Sequence, residues 1–241
     1  MNPASFIAAV RSVLTYLVVS LYVLVVGPIG LLVAIPFKMK GTLYELGHFG
    51  VGLALGMAGI RYTVTGREHI PAGQAVVFCS NHESNVDPPV LFQALHRRLH
   101  ILFKAELTKL PILGKVMLAG DFVSVERERR EASMVSVDRA AESIRSGNSF
   151  LIFPEGTRSR TLELLPFKKG GFIMAIKAGA PIVPVAISGG RDAMRKGSWF
   201  VRPVLCRIRI GEPLETAGMS VDDRDRVIEI VRARIEHLLT T

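Results

Sequence analysis

The feature that most constrains the fold of this chain is a stretch of 26 residues without a charged side chain, residues 12 to 37. About 20 apolar residues are enough to cross a bilayer as a helix, so the stretch predicts a membrane segment. It exceeds the roughly 7–15 residues of a signal-peptide core, and no Ala-x-Ala site closes it. Gly27-Pro28 leaves two forms open, a full crossing and a hairpin that returns to the same leaflet. A buried core helix is the alternative, although such helices seldom lack charge on every face.

Basic residues flank the apolar stretch, with Arg11 before it and Lys38 and Lys40 after it. The positive-inside rule therefore weakly favours a cytoplasmic location for the rest of the chain. Residues 41–60 are apolar and rich in glycine, and they predict a second helix at or near the membrane surface. We expect a membrane-anchoring helical region over residues 1–60 and an α/β domain over residues 61–241, on the cytoplasmic face of the cell membrane.

Charge narrows the class of binding partner. The 241 residues carry a formal net charge of +9 with a pI of about 9.9, which favours phosphate-bearing partners such as an anionic membrane, a phosphorylated substrate or a nucleic acid. Nucleic acid is disfavoured, because only 7% of residues are aromatic, the basic residues are dispersed and no recognised motif is present. Two cysteines, Cys79 and Cys206, are too few for a disulfide framework and favour a reducing compartment.

Beyond residue 60, short β-type runs alternate with amphipathic helical stretches. The predicted strands are RYTVTG, AVVFCS, HILFK, DFVSV, SFLIF, PIVPVAIS and VLCRIRIG. This alternation predicts the α/β class, with a mostly parallel central sheet flanked by helices. Polar motifs follow four of these strands: NHESNVD, KAEL, Glu126-Arg127 and PEGTRSR. Ligands of such sheets bind at the carboxyl ends of the strands, so we expect one shared site there.

The motif NHESNVD places His82 and Asp87 at the end of a buried strand. A carboxylate that fixes the tautomer of an imidazole allows the other ring nitrogen to accept a proton, so the pair can act as a general base. The alternative is that Asp87 only caps a helix beginning at Pro88 and His82 only shapes a turn. Cys79 and Ser84 lack the setting of a nucleophile.

The motif FPEGTRSR, residues 153–160, places Glu155, Gly156, Thr157 and Arg158 on a loop after a strand. A guanidinium group matches phosphate oxygens, and a glycine lets backbone amides approach an anion. The alternative is an ion pair between Glu155 and Arg158 that only fixes the loop. No cluster with metal-ligand spacing is present in the sequence, so no metal is expected.

These motifs together resemble the 1-acylglycerol-3-phosphate acyltransferases of the glycerolipid acyltransferase superfamily. NHESNVD is similar to that family's first motif, KAEL through GDFVSVER to the second, FPEGTRS to the third, and the stretch from FKKGG to VAIS to the approach to the fourth. The resemblance covers about residues 60–190. The second motif often ends in aspartate-arginine, whereas Glu126-Arg127 stands here, which affects how Arg127 is oriented.

The resemblance implies an enzyme of phospholipid biosynthesis that moves an acyl group from a thioester to the sn-2 hydroxyl of lysophosphatidate, giving phosphatidate. His82 and Asp87 would be catalytic. The substrate-binding residues would be Lys104, Arg127, Glu155, Gly156, Thr157 and Arg158. The donor would be acyl-CoA or acyl-carrier protein, with no other cofactor. Alternatives are another acceptor (glycerol-3-phosphate, another lysophospholipid or a lyso-aminolipid) and a non-catalytic basic lipid-binding protein.

Overall fold

The computed structural model describes residues 3–95, 98–125, 130–161 and 163–241. The helices in these ranges are α1 (Pro3–Ala34), α2 (Lys40–Ala58), α3 (Asp87–Ala94), α4 (Leu113–Ala119), α5 (Arg130–Arg145), α6 (Gly170–Ala178), α7 (Gly190–Ala193) and α8 (Arg224–Thr240). The strands are β1 (Ile60–Thr65), β2 (Val77–Ser80), β3 (Leu99–Lys104), β4 (Val123–Val125), β5 (Ser149–Ile152), β6 (Ile182–Ser188) and β7 (Val204–Ile210). Short 3-10 helices cover Arg67–His69, Ala105–Lys109 and Val221–Asp223.

The strands form one seven-stranded sheet in the order β1-β7-β6-β2-β5-β3-β4. Every neighbouring pair is parallel except β6 and β7. The prediction of a mostly parallel sheet flanked by helices is therefore confirmed. Because β6, β2, β5, β3 and β4 are consecutive and parallel, their carboxyl ends meet at one edge, which is where the polar motifs leave the sheet.

Helices cover both faces of the sheet. One face packs with α2 and α3 through Phe78, Leu91 and Leu151, among others. The other face packs with α5, α6 and α8 through Val77, Phe150 and other apolar side chains. All four residues of β2 and all four of β5 are buried, as expected for central parallel strands. The NHESNVD and FPEGTRSR loops thus start from the buried centre of the sheet.

The helix α1 continues without a break through Gly27 and Pro28. It lies antiparallel to α2, because Gly30 packs against Leu43 and Leu46 and the Tyr22 hydroxyl donates to the Leu46 carbonyl at 2.8 Å. The reversal between the two helices therefore lies in residues 35–39. A hairpin bend at Gly27-Pro28 is not observed, because one helix continues through both residues and Gly27 packs closely on Ile112.

One side of α1 packs along the α/β domain. Ser12 is buried and accepts a hydrogen bond from the Val201 amide at 2.7 Å, and the Tyr16 hydroxyl donates to the Trp199 carbonyl at 2.8 Å. The opposite side is exposed and apolar, and includes Phe6, Val13, Leu17, Leu21, Leu24 and Leu32. A buried core helix is excluded, since only 11% of its most apolar window is buried. By length and composition α1 could cross a membrane, and its exposed apolar side indicates membrane association.

Candidate active site

The chain leaves β2 at Ser80 and turns at once, bringing His82 and Asp87 together. The Nδ1 atom of His82 lies 2.9 Å from Oδ2 of Asp87. The ring of His82 stacks on Phe153 with the ring centres 4.3 Å apart. Because Nδ1 is directed to the carboxylate, the other ring nitrogen, Nε2, is left to meet a substrate.

The carboxylate of Asp87 is completely buried. Its Oδ2 also accepts hydrogen bonds from the amides of Glu83 and Ser84, both at 2.7 Å. These donors lie before α3, so the carboxylate turns back to the histidine instead of capping the helix. The usual capping donors are not available to Asp87, because Pro89 has no amide hydrogen and the Val90 amide donates to the Val86 carbonyl at 3.0 Å. Three hydrogen bonds to one oxygen fix the orientation of the carboxylate.

The segment after β6 closes the other side of this turn. Gly190 lies so close that a β-carbon there would sit 2.2 Å from Oδ1 of Asp87. The buried Ser84 hydroxyl donates to the Met194 carbonyl at 2.7 Å, which gives that serine a structural bond. The sequence analysis did not identify Gly190 or Met194, although Gly189-Gly190 follows a predicted strand as the other motifs do.

Glu83 is a buried acidic residue of the same turn, with 8% of its surface exposed. Burial, followed by the charge of Asp87, raises the pKa of Glu83 to about 7, and nearby Arg191 opposes this shift. Burial likewise raises the pKa of the Cys79 thiol, which keeps it from being a thiolate nucleophile. Burial thus favours the neutral forms of Glu83 and Cys79.

Glu155 joins the FPEGTRSR loop to the NHESNVD turn. Its Oε1 accepts a hydrogen bond from the His82 amide at 2.8 Å, and its Oε2 accepts one from the Leu165 amide at 2.9 Å. The Ser159 amide donates to the His82 carbonyl at 2.8 Å, so the loop holds the backbone of His82 on both sides. Burial raises the pKa of Glu155, and these two amide bonds oppose the shift. Glu155 and Arg158, both of which the structure describes, form no ion pair with each other.

Gly156 shapes the start of the loop. Its φ of +68° is in the left-handed region that favours glycine, and a β-carbon there would lie 2.8 Å from Cε of Lys168. Gly156, Lys168 and Phe153 line a cavity of about 150 Å³ between β4, β5 and α6. Since Phe153 also stacks on His82, this cavity opens beside the histidine.

Lys196 contacts the next part of the loop. Its Nζ donates to Oγ1 of Thr157 at 3.2 Å and to the carbonyl of Arg158 at 2.9 Å. The Arg158 side chain takes part in none of the ion pairs found among the described residues. Lys196 was missed by sequence analysis, because its contact depends on the path of a segment that carries no motif.

Of two further predicted binding residues, the structure describes only the backbone of one and does not describe the other. Lys104 is the last residue of β3, at the same edge of the sheet as His82 and Arg158. Arg127 lies outside the described residues. The structure therefore brings together His82, Asp87, Glu155, Gly156, Thr157 and Arg158, and it locates the backbone of Lys104 nearby.

The structure combines an α/β sheet with a histidine-aspartate pair and an arginine-bearing loop at the carboxyl edge of the sheet, and this combination defines its class. The chain as a whole is similar to known proteins. The family model described as Acyltransferase matches residues 61–188. The 1-acyl-sn-glycerol-3-phosphate acyltransferase of Limnanthes douglasii is 33% identical over 192 residues, covering 79% of this chain and 67% of that protein. Its namesake in Borreliella burgdorferi is 29% identical over 191 residues, covering 79% and 76%.

A solved structure covers almost the whole chain. The crystal structure of the 1-acyl-sn-glycerophosphate (LPA) acyltransferase PlsC from Thermotoga maritima aligns with a TM-score of 0.82 and 26% identity, covering 98% of this chain and 97% of that one. The family match, which spans more than half of the chain, and the plant relative agree with it. The chain belongs to the acyltransferase family.

Proposed function

We propose that this protein is a 1-acyl-sn-glycerol-3-phosphate O-acyltransferase, transferring an acyl group from a thioester to the sn-2 hydroxyl of lysophosphatidate. The observation that carries the proposal is the 2.9 Å contact between Nδ1 of His82 and Asp87, at the edge where the FPEGTRSR loop also lies. The names of the relatives in Limnanthes and Borreliella support the choice of acceptor.

The proposed chemistry uses His82 as a general base. Asp87 holds the proton on Nδ1, so Nε2 is unprotonated and can remove the proton of the acceptor hydroxyl as it attacks the thioester carbonyl. The tetrahedral intermediate collapses with loss of the thiolate, which takes up the proton carried by His82. No covalent acyl-enzyme is required, which agrees with the structural bond of Ser84 and the protonated thiol of Cys79.

The oxyanion of the intermediate needs hydrogen-bond donors. The Gly156 amide already donates to the Phe153 carbonyl at 3.0 Å. The amides of Thr157 and Arg158 make no backbone hydrogen bond within the described residues. Those two amides are therefore the donors we favour for the oxyanion or for the acceptor phosphate.

We assign the acceptor phosphate to three basic residues, Lys104, Arg127 and Arg158, with Gly156 and Thr157 shaping the loop. A guanidinium binds two phosphate oxygens at once, which makes Arg158 the principal group. For Glu155 we favour orientation of His82 and the loop over direct contact with glycerol, because both of its oxygens already accept amide hydrogens. Acyl-CoA and acyl-carrier protein are both suitable donors.

We also propose that the region of residues 1–60 anchors the α/β domain of residues 61–241 to the cytoplasmic face of the cell membrane. The exposed side of α1 runs the length of the helix, while its other side packs on the domain. A helix held in this way can be buried in one leaflet without the domain entering the bilayer, so we favour an in-plane arrangement over a crossing.

The acceptor and the chemistry are tested with purified full-length protein, labelled acyl-CoA and a panel of acceptors: lysophosphatidate, glycerol-3-phosphate and lysophosphatidylcholine. We expect phosphatidate from lysophosphatidate and no product with His82→Ala. Asp87→Asn should lower kcat by about 10²–10⁴-fold with an unchanged melting temperature, because the amide no longer fixes the tautomer. Near-normal turnover of Asp87→Asn would show that Asp87 only shapes the turn before α3. Acylation of a different acceptor alone would contradict lysophosphatidate as the acceptor, but it would still support acyl transfer as the reaction.

A further inference from the structure

The segment after α7 exposes two aromatic side chains on a loop that touches both the site and α1. Trp199 is 80% exposed and Phe200 is 41% exposed. Large aromatic side chains at such exposure are costly in water unless another surface covers them. We define residues 195–202 as the 195–202 loop.

The 195–202 loop is attached to α1. The Tyr16 hydroxyl donates to the carbonyl of Trp199 at 2.8 Å, and Ser12 accepts from the amide of Val201 at 2.7 Å. Neighbouring residues on the exposed side of α1 include Val13 and Leu17, both apolar and more than half exposed. The aromatic tip thus lies beside α1, whose exposed side is apolar.

The charge within the loop is of one sign. Residues 195–202 include three basic residues and no acidic residue. The basic residues are Arg195, Lys196 and Arg202. A tryptophan flanked by basic side chains is typical of residues at the boundary between lipid chains and headgroups. Each basic side chain near an anionic leaflet adds about 1 kcal/mol of attraction.

We infer that the 195–202 loop is a second membrane-contact element, with Trp199 and Phe200 inserted among the lipids of an anionic bilayer beside α1. The inference rests on the membrane attachment proposed above. It also gives the loop a role at the site, because Lys196 in the same loop holds Thr157 and Arg158. Contact with the bilayer would fix the acceptor-binding loop at the level of the lipid headgroups.

Trp199 is the single tryptophan of the chain, so its fluorescence reports on this loop alone. The full chain is reconstituted in vesicles of phosphatidylcholine and phosphatidylglycerol, with and without lipids brominated on the acyl chains. Interfacial side chains reach roughly 5–10 Å into the headgroup and acyl boundary. We therefore expect emission at shorter wavelength than for the unfolded chain, with a clear loss of intensity when brominated lipid is present.

A matched control moves the reporter to the opposite face of the sheet. In the double variant Trp199→Phe with Glu229→Trp, the tryptophan lies on α8, where Glu229 is exposed, and bromination should not change its emission. Flotation of the same vesicles measures attachment separately. Protein that floats while Trp199 stays unquenched would overturn the loop inference and leave the attachment by α1 intact. Protein that does not float would overturn both.

The alternative to a bilayer is that a second copy of the chain covers the 195–202 loop. In that case the emission of Trp199 would shift with protein concentration and would be insensitive to brominated lipid, which would also overturn the inference. The variant Trp199→Ser adds a functional measurement. We expect a lower rate on lysophosphatidate in vesicles and an unchanged rate in detergent micelles, since the loop acts through the bilayer.

Discussion

At the scale of single residues, the geometry of Asp87 depends on what touches each of its oxygens. Oδ2 receives three hydrogen bonds, whereas the buried Oδ1 has no hydrogen-bond partner among the described residues and faces the α-carbon of Gly190. The absence of a side chain at position 190 is therefore what lets the carboxylate rotate toward His82.

Gly190→Ala should displace this carboxylate, because the added methyl group would lie 2.2 Å from Oδ1. Misplacement of a catalytic group by about 1 Å can cost about 10²-fold in rate, and we expect a fall in kcat of that order with little change in KM. Steady-state kinetics measure it. Gly56→Ala is the control, because no atom lies within 4 Å of its added methyl group. Equal kinetics for the two variants would contradict the assignment.

Arg158→Ala should raise the KM for lysophosphatidate and leave the KM for acyl-CoA unchanged, because a phosphate contact is lost in the ground state as well as in the transition state. The measurement is a pair of titrations, one for each substrate. The control is Arg145→Ala, which removes an exposed arginine paired with Glu142 on α5. An equal effect on both substrates would assign Arg158 to the structure of the loop.

The sequence predicted which motif residues lie together better than it predicted the residues that support them. His82 and Asp87 lie five positions apart, so a turn alone can bring them together, and the local motif was sufficient. Gly190, Met194 and Lys196 reach the site from 30 or more residues after the FPEGTRSR motif. Their contacts depend on the path of the chain after β6, which no local pattern encodes.

At the scale of elements, a buried polar contact joins α2 to the sheet. The Tyr44 hydroxyl donates to the Gly120 carbonyl at 2.8 Å, so its contact of 2.6 Å with Nε2 of His100 requires the histidine to donate. Nδ1 of His100 is then the bare nitrogen, and it is buried without a hydrogen-bond partner among the described residues. This arrangement needs a neutral imidazole.

Burial lowers the pKa of His100 below its ordinary value of 6.5. The unfolded chain therefore binds a proton that the folded chain does not, and the free energy of unfolding should fall as the pH drops below about 6.5. Thermal unfolding across this range measures the effect. His100→Gln should flatten the dependence while lowering stability overall. His237→Gln, at an exposed histidine of α8, should leave the slope unchanged. An unaltered slope in His100→Gln would contradict this explanation.

The elements that the sequence predicted well are those with a strong local pattern. The seven strands and α2 were predicted, within a few residues at their ends. The pairing of β1 with β7 was not predicted, because it joins parts of the chain about 140 residues apart. The antiparallel pairing of β7 with β6 was not predicted either, because a strand's own pattern does not encode its direction. The four-residue helix α7 was missed, since a segment of that length carries no periodicity.

At the scale of the whole molecule, the exposed side of α1 should decide membrane retention. Leu17, Leu21 and Leu24 are 61%, 62% and 60% exposed and lie on one side of the helix. Changing all three to Glu should release the protein from membranes in an alkaline wash that retains the wild type, because carboxylates are costly among lipid chains. Changing all three to Met is the control and should be retained. Release of the wild type by salt alone would contradict attachment by α1.

The position of α1 against the domain has a further consequence for the lipid layer. The helix is 32 residues long, which is about 48 Å, and its width is about 10 Å. Lying in the plane of one leaflet, it would occupy roughly 500 Å² on that side and nothing on the other. Each proposed turnover also converts a one-chain lipid into a two-chain lipid in the same leaflet. The enzyme and its product therefore both widen one side of the bilayer, so lateral pressure should rise as product accumulates and favour release of the helix. Binding should accordingly be tighter on small, strongly curved vesicles than on flat ones.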